Sequence, residues 1–135
     1  MLRLLTLLLV VCLSVAARAE DEAEMPTGPS IQYIYFEPAL VVNYGSRGRM
    51  KFLRTDVALR VSSVEAAAKV SHHKPYIRNN LVMLFSGQES DIMNTSQGRE
   101  ILRKKALEEV QALMIELEGV PAVDDLFFNN FVVQN

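Results

Sequence analysis

The chain is short of the residues that most often carry chemistry. It has one cysteine, Cys12, and two histidines, the neighbours His72 and His73. Cys12 lies inside an apolar N-terminal run, so the rest of the chain has no thiol for a disulfide frame or a thiolate metal site. Adjacent histidines on a helix point roughly 100° apart and cannot share a metal ion in the usual way. No carboxylate stands at helical spacing from them, so a solvated helix junction is expected there rather than a metal site. The six glycines are scattered and form no phosphate loop, and no serine has the setting of a nucleophile elbow. Asp124-Asp125 stands before a strand, where turn propensity accounts for it. No catalytic residue, cofactor or metal ligand is expected.

Met1 to Ala19 has the plan of a secretory signal. Arg3 precedes an apolar run from Leu4 to Ala17, and Ala17-Arg18-Ala19 supplies a small-x-small cleavage site at Ala17 and Ala19. The run is short for a bilayer span, and the competing reading is an uncleaved anchor holding the domain at the inner membrane. Val10-Val11 before Cys12 does not suit a lipoprotein signal. Removing 19 of the 135 residues leaves 116, with 12 basic residues against 16 acidic ones, a net of −4. An export signal and an acidic balance argue against nucleic acid as a partner. Glu20 to Ser30, acidic with two prolines and no periodicity, reads as a flexible linker. The folded domain is expected over 31–135.

From Ile31 the pattern alternates through Phe36 until Pro38 ends or bends the strand, and Leu40–Tyr44 reads as a second extended segment. Gly45-Ser46-Arg47-Gly48 is turn chemistry. Met50–Ser62 is the clearest strand, with Leu53, Thr55, Val57, Leu59 and Val61 on a packed face and Arg54, Asp56, Ala58 and Arg60 on a wet one. Ser62-Ser63-Val64-Glu65 fits a capping box, and Pro75 suits the first turn of a renewed helix through Ile77, Leu81, Leu84 and Phe85 to Gly87. Gln88–Asn94 reads as a polar connection.

A long helix is expected between the N-cap Thr95 and Gly119, about 35 Å from end to end. Its core face is read as Leu102, Ala106, Val110, Leu113 and Leu117, with Lys104, Glu108 and Gln111 opposite and Glu100 four residues before Lys104. Asp124–Gln134, apolar on both sides, reads as a strand buried on both faces or placed centrally. The plan is α+β in two layers: an antiparallel-type sheet of about four strands covered by two to three helices.

Two surfaces look suited to interaction. Arg47 and Arg49, with Lys51 and Arg54, cluster at the turn and could meet an acidic partner or lipid head groups, against a solvated hairpin tip. Ile101, Ala112 and Ile115 lie off the main stripe of the long helix, where either a partner or another element packs.

These residues resemble the flagellar basal-body-associated FliL family. The resemblance lies in Glu37-Pro38 with Val41-Val42-Asn43, the alternating strand, and Pro75-Tyr76-Ile77-Arg78 leading into Leu84-Phe85-Ser86. It continues through Asp91-Ile92, Thr95-Ser96-Gln97-Gly98-Arg99-Glu100, Leu102-Arg103, and a C-terminal set of Val123, Leu126, Phe128, Phe131-Val132-Val133-Gln134. It covers about Ile31 to Gln134. It implies a non-enzymatic periplasmic domain at the flagellar motor beside the stator units, a stomatin-like fold, a tendency to form homo-oligomeric rings, and support of motor output. Members usually carry a cytoplasmic tail and a longer membrane span, whereas here two residues precede Arg3. The runner-up is a small periplasmic module that binds a ligand or the cell wall and shares only the fold.

Overall fold

The computed structural model describes residues 29–134. The signal with Ala17 and Ala19, and the linker as far as residue 28, lie outside the described residues. Among the described residues the first strand starts at Pro29, two residues before the expected Ile31.

β3 (Lys51–Ser63) is the strand every other strand uses. β1 (Pro29–Tyr35) pairs antiparallel with its C-terminal half, and β2 (Leu40–Tyr44) with its N-terminal half. Both therefore lie along one side of β3, one beyond the other. β4 (Asp125–Gln134) pairs with nearly the whole length of the other side. Alternation explains the central position: Leu53, Thr55, Val57, Leu59 and Val61 are buried on one face, as expected. Ile34, Leu40, Val42 and Leu126 join them from the neighbouring strands. Each such side chain contributes roughly 1.5–3 kcal/mol when fully buried.

Four helices are present among the described residues, one more than expected. They are α1 (Val64–His72), α2 (Lys74–Ser86), α3 (Ser90–Asn94) and α4 (Ser96–Glu118). α3 replaces the expected polar connection, because Met93 is buried in the core and draws that segment inward. The α1 cap sits one residue later than the capping-box spacing suggests: the Ser63 hydroxyl accepts from Ala66 N–H, while Ser62 bonds Asp124 across the sheet. Thr95 and Gly119 close α4 as expected, Gly119 at φ 77°. Its buried stripe is Gly98, Leu102, Ala106, Val110 and Met114. Met114 continues the four-residue spacing, so Leu113 is only partly buried and Leu117 is exposed. Gln111 is not on the solvated face; its amide donates to the Val123 carbonyl at 2.8 Å.

β4 overturns its expected placement. It is an edge strand, not a central one. Asp56 pairs with Asn130 but Val57 pairs with Phe128, so Asn129 is an extra residue in a β-bulge. The bulge shifts the parity of the strand. Phe128, Phe131 and Val133 all pack toward the core, and Val132, 58% exposed, faces out. Thr55, the one buried polar residue of the core strand, donates its hydroxyl to the Asn130 carbonyl at 2.6 Å and satisfies the bulge. Ala58 is buried rather than wet, because its cross-strand neighbours Tyr35 and Phe127 stand on either side of it.

Candidate functional site

Several residues singled out in the sequence meet at the two edges of the sheet. At the first edge the chain leaves β1 and re-enters at β2 past Pro38. Arg78, projecting from α2, donates to the Pro38 and Ala39 carbonyls at 2.8 and 3.2 Å. It is held there because Ile77 and Leu81 seat α2 on the core, and Pro75 occupies its first turn. At the second edge Arg103 of α4 donates from one nitrogen to Asp125 at 2.6 Å and to the Leu126 carbonyl at 3.0 Å. Its other nitrogens grip Glu100 at 2.7 and 2.8 Å. Glu100 thus pairs with Arg103, not with Lys104, because Arg103 is already fixed by β4 and offers a planar two-point contact.

The hydrogen bond to Glu100, against the opposing effect of burial and with help from the hydrogen bond to Asp125, raises the Arg103 pKa further above its ordinary value. The same bond holds the Glu100 carboxyl below its usual 4.5. A carboxylate with a depressed folded pKa stabilises the fold above its ordinary range, and that stabilisation is lost as pH falls through the folded pKa.

Gly98 and Thr95 set where α4 begins. The Thr95 hydroxyl accepts from Gly98 N–H at 2.9 Å. A Cβ at Gly98 would lie 2.2 Å from the Ile92 carbonyl oxygen, so only glycine lets α3 approach α4 this closely. Leu102, one turn on, is in the core.

Between the first turns of α4 and the edge of β4 lies an open groove of about 360 Å³. Ser96, Arg99, Glu100 and Arg103 form one wall, and Phe127, Phe128 and Phe131 the other. Phe128 meets Phe131 and Phe85 at ring-centroid distances of 5.1 and 5.8 Å. Arg99 stacks on Phe131 at 5.6 Å. Arg99 entered the sequence reading only as part of the family resemblance, and Phe127 was not singled out. The aromatic pair Phe127-Phe128 was visible, but only the bulge brings Phe131 beside it.

The remaining candidates lie apart. Ile101, Ala112 and Ile115 form an exposed line along α4, with Ile101 and Ile115 about half exposed. Arg47 and Arg49 stand at the exposed hairpin tip, which Ser46–Glu89 and Lys51–Ser90 bonds tie to the start of α3. Asn43 and Gln134 flank Phe52 on the outer face of the sheet. His73 departs from the expected solvated junction: its Nε2 lies 2.7 Å from the Glu118 carboxylate, linking the α1–α2 junction to the end of α4. No group of three or more metal-ligating side chains comes together among the described residues. No helix among them is long and apolar enough to cross a membrane.

The family profile described as flagellar basal body-associated protein FliL matches residues 33–134, from the middle of β1 to the end of β4. The flagellar protein FliL of Aquifex aeolicus is 24% identical over 107 residues, 78% of this chain and 64% of that relative. The flagellar protein FliL of Escherichia coli K12 is 22% identical over 116 residues, 86% of this chain and 73% of the relative. The chain thus spans somewhat under two thirds of the Aquifex relative's length. The matched segment takes in both arginine-capped edges, Gly98 at the α3–α4 contact and the bulged terminal strand, and on that match the chain belongs to the flagellar basal body-associated FliL family, an accessory family of the flagellum and not an enzyme family.

Proposed function

We propose that the protein is exported to the periplasm, stands at the outer side of the inner membrane beside the flagellar basal body and stator units, and supports motor output under load. The observation that carries this reading is the family match over 102 consecutive residues, counted from 33 to 134. The reading takes Met1–Ala19 as a cleaved signal or short anchor and Glu20–Gly28 as the spacer before β1. Action is by contact. The exposed line of Ile101, Ala112 and Ile115 and the arginines of the hairpin tip are the candidate contact surfaces toward stator or basal-body proteins, or toward neighbouring copies in a ring.

Deletion of the gene should leave flagella assembled and reduce swarming on firm agar, scored by colony spread and filament staining. Ile115→Glu should reproduce the defect in a folded protein, because the side chain is half exposed and away from the buried stripe. Normal swarming in the deletion strain would contradict the flagellar role. A fully active, folded Ile115→Glu protein would move the contact to Arg47 and Arg49.

A further inference from the structure

We infer that the open edge of β4, with the groove beside it, docks an extended acidic segment of a partner polypeptide, which adds to the sheet as a fifth strand. The inference rests on the reading of the chain as a binding protein, and holds whether or not the partner is flagellar.

The direction of the ladder comes first. Phe36 N–H donates to the Val57 carbonyl, so Val57 turns its backbone groups toward β1. Backbone groups alternate sides along a strand, so Asp56, Ala58 and Arg60 face β4. Their pairing with Asn130, Phe127 and Asp125 leaves Leu126, Phe128, Phe131 and Val133 with N–H and C=O pointing away from the sheet. Leu126 is closed off: its carbonyl accepts from Arg103, and its N–H donates to Asp125 Oδ1 at 2.8 Å. For Phe128, Phe131 and Val133 no such partner occurs among the described residues. An edge of this kind is a template for another chain.

The groove lies where that chain would run. Phe127 belongs to the outer face of the sheet, and Phe128 and Phe131 to the inner face. Only a space at the strand's edge can be lined by all three. Successive side chains of an added strand point to opposite faces, so one apolar side chain would meet Phe128 and Phe131 and the next would meet Phe127.

The charge of the groove selects an acidic occupant. Arg103 is already bound to two carboxylates, and Glu100 is taken by it. Arg99 makes no ion pair among the described residues, and it stands in the first turn of the 23-residue helix α4, whose N-terminal end is electropositive. A second copy pairing β4 with β4 about a two-fold axis would bring two Arg99 side chains and two helix N-termini together, so like charge disfavours it.

The test selects a random heptapeptide display library on the full chain, then measures anisotropy of the recovered peptides, synthesised with a fluorophore. Peptides alternating apolar and acidic residues are expected. Val133→Pro removes an outward N–H and leaves the β3 ladder intact, so it should weaken binding roughly tenfold without unfolding the chain. Arg99→Gln should weaken binding and flatten its salt dependence. No enrichment, recovery of peptides without acidic residues, or undiminished binding to a folded Val133→Pro chain would each overturn the proposal. Concentration-dependent dimerisation abolished by Val133→Pro would overturn it in favour of self-pairing. A failed selection leaves the swarming assay unaffected, so the two readings fail separately.

Discussion

The two edges of the sheet are protected to different degrees. Along one edge β1 and β2 are short, seven and five residues, and the break between them is where Arg78 binds two carbonyls. Helix cover does not distinguish the edges: α1 packs on β1, α2 on β2 and α4 on β4. Along the other edge β4 runs ten residues in one piece, and Arg103 caps only its beginning. Short strands, bulges and side-chain caps are the usual means of keeping an edge from recruiting another chain. One edge has nearly all of them, while the other has a cap at one end, a bulge in the middle and five residues beyond it. The same type of residue at matching places thus closes one edge and leaves the other usable.

Breaking the ladder on the inner side of β4 should have the largest effect. Val132 faces Arg54 in a hydrogen-bonded pair, so Val132→Pro deletes a sheet bond and should cost roughly 3 kcal/mol, read as a fall in denaturation midpoint. Val133→Pro, one residue on, deletes no sheet bond and gives up only part of a side chain packed at the core's rim, so it should cost about 1 kcal/mol. Equal effects would mean that the two sides of β4 do not differ. The arginine caps come next. Arg103→Ala leaves a partly buried Asp125 without its cation and should cost about 2 kcal/mol. Arg78→Ala gives up bonds to two neutral carbonyls and should cost about 1 kcal/mol. Because the Glu100 carboxyl is held below 4.5, the gap between wild type and Arg103→Ala should narrow as pH falls through the carboxylate range, while the Arg78→Ala gap stays constant.

Much of the first edge was legible in the sequence and little of the second. The alternation in Leu53–Val61 and the turn glycines identified β3 and its hairpin, because one face of that strand is buried and the other is wet. Thr95 and Gly119 marked α4 because caps are local signals. The bulge at Asn129 left no such mark. One extra residue moved Phe131 and Val133 to the core face, and apolar residues on both sides made an edge strand resemble a central one. Phe128 and Phe131 are consequently half buried, and truncating either to alanine should cost about 2 kcal/mol rather than the larger loss of a sealed core site. α3 was missed for a similar reason: five residues with one buried methionine carry too little periodicity to register. Arg78 and Arg103 were picked out by resemblance alone, since no local pattern tells that an arginine will reach a carbonyl 39 or 23 positions away.

Amide hydrogen exchange along β4 of the full chain tests the asymmetry most directly. The amides of Phe127, Asn130 and Val132, turned into the β3 ladder, should be protected, while those of Phe128, Phe131 and Val133 exchange at rates close to those of exposed amides. Uniform protection across Phe127–Val133 would contradict the account, because it would show that the edge is already covered.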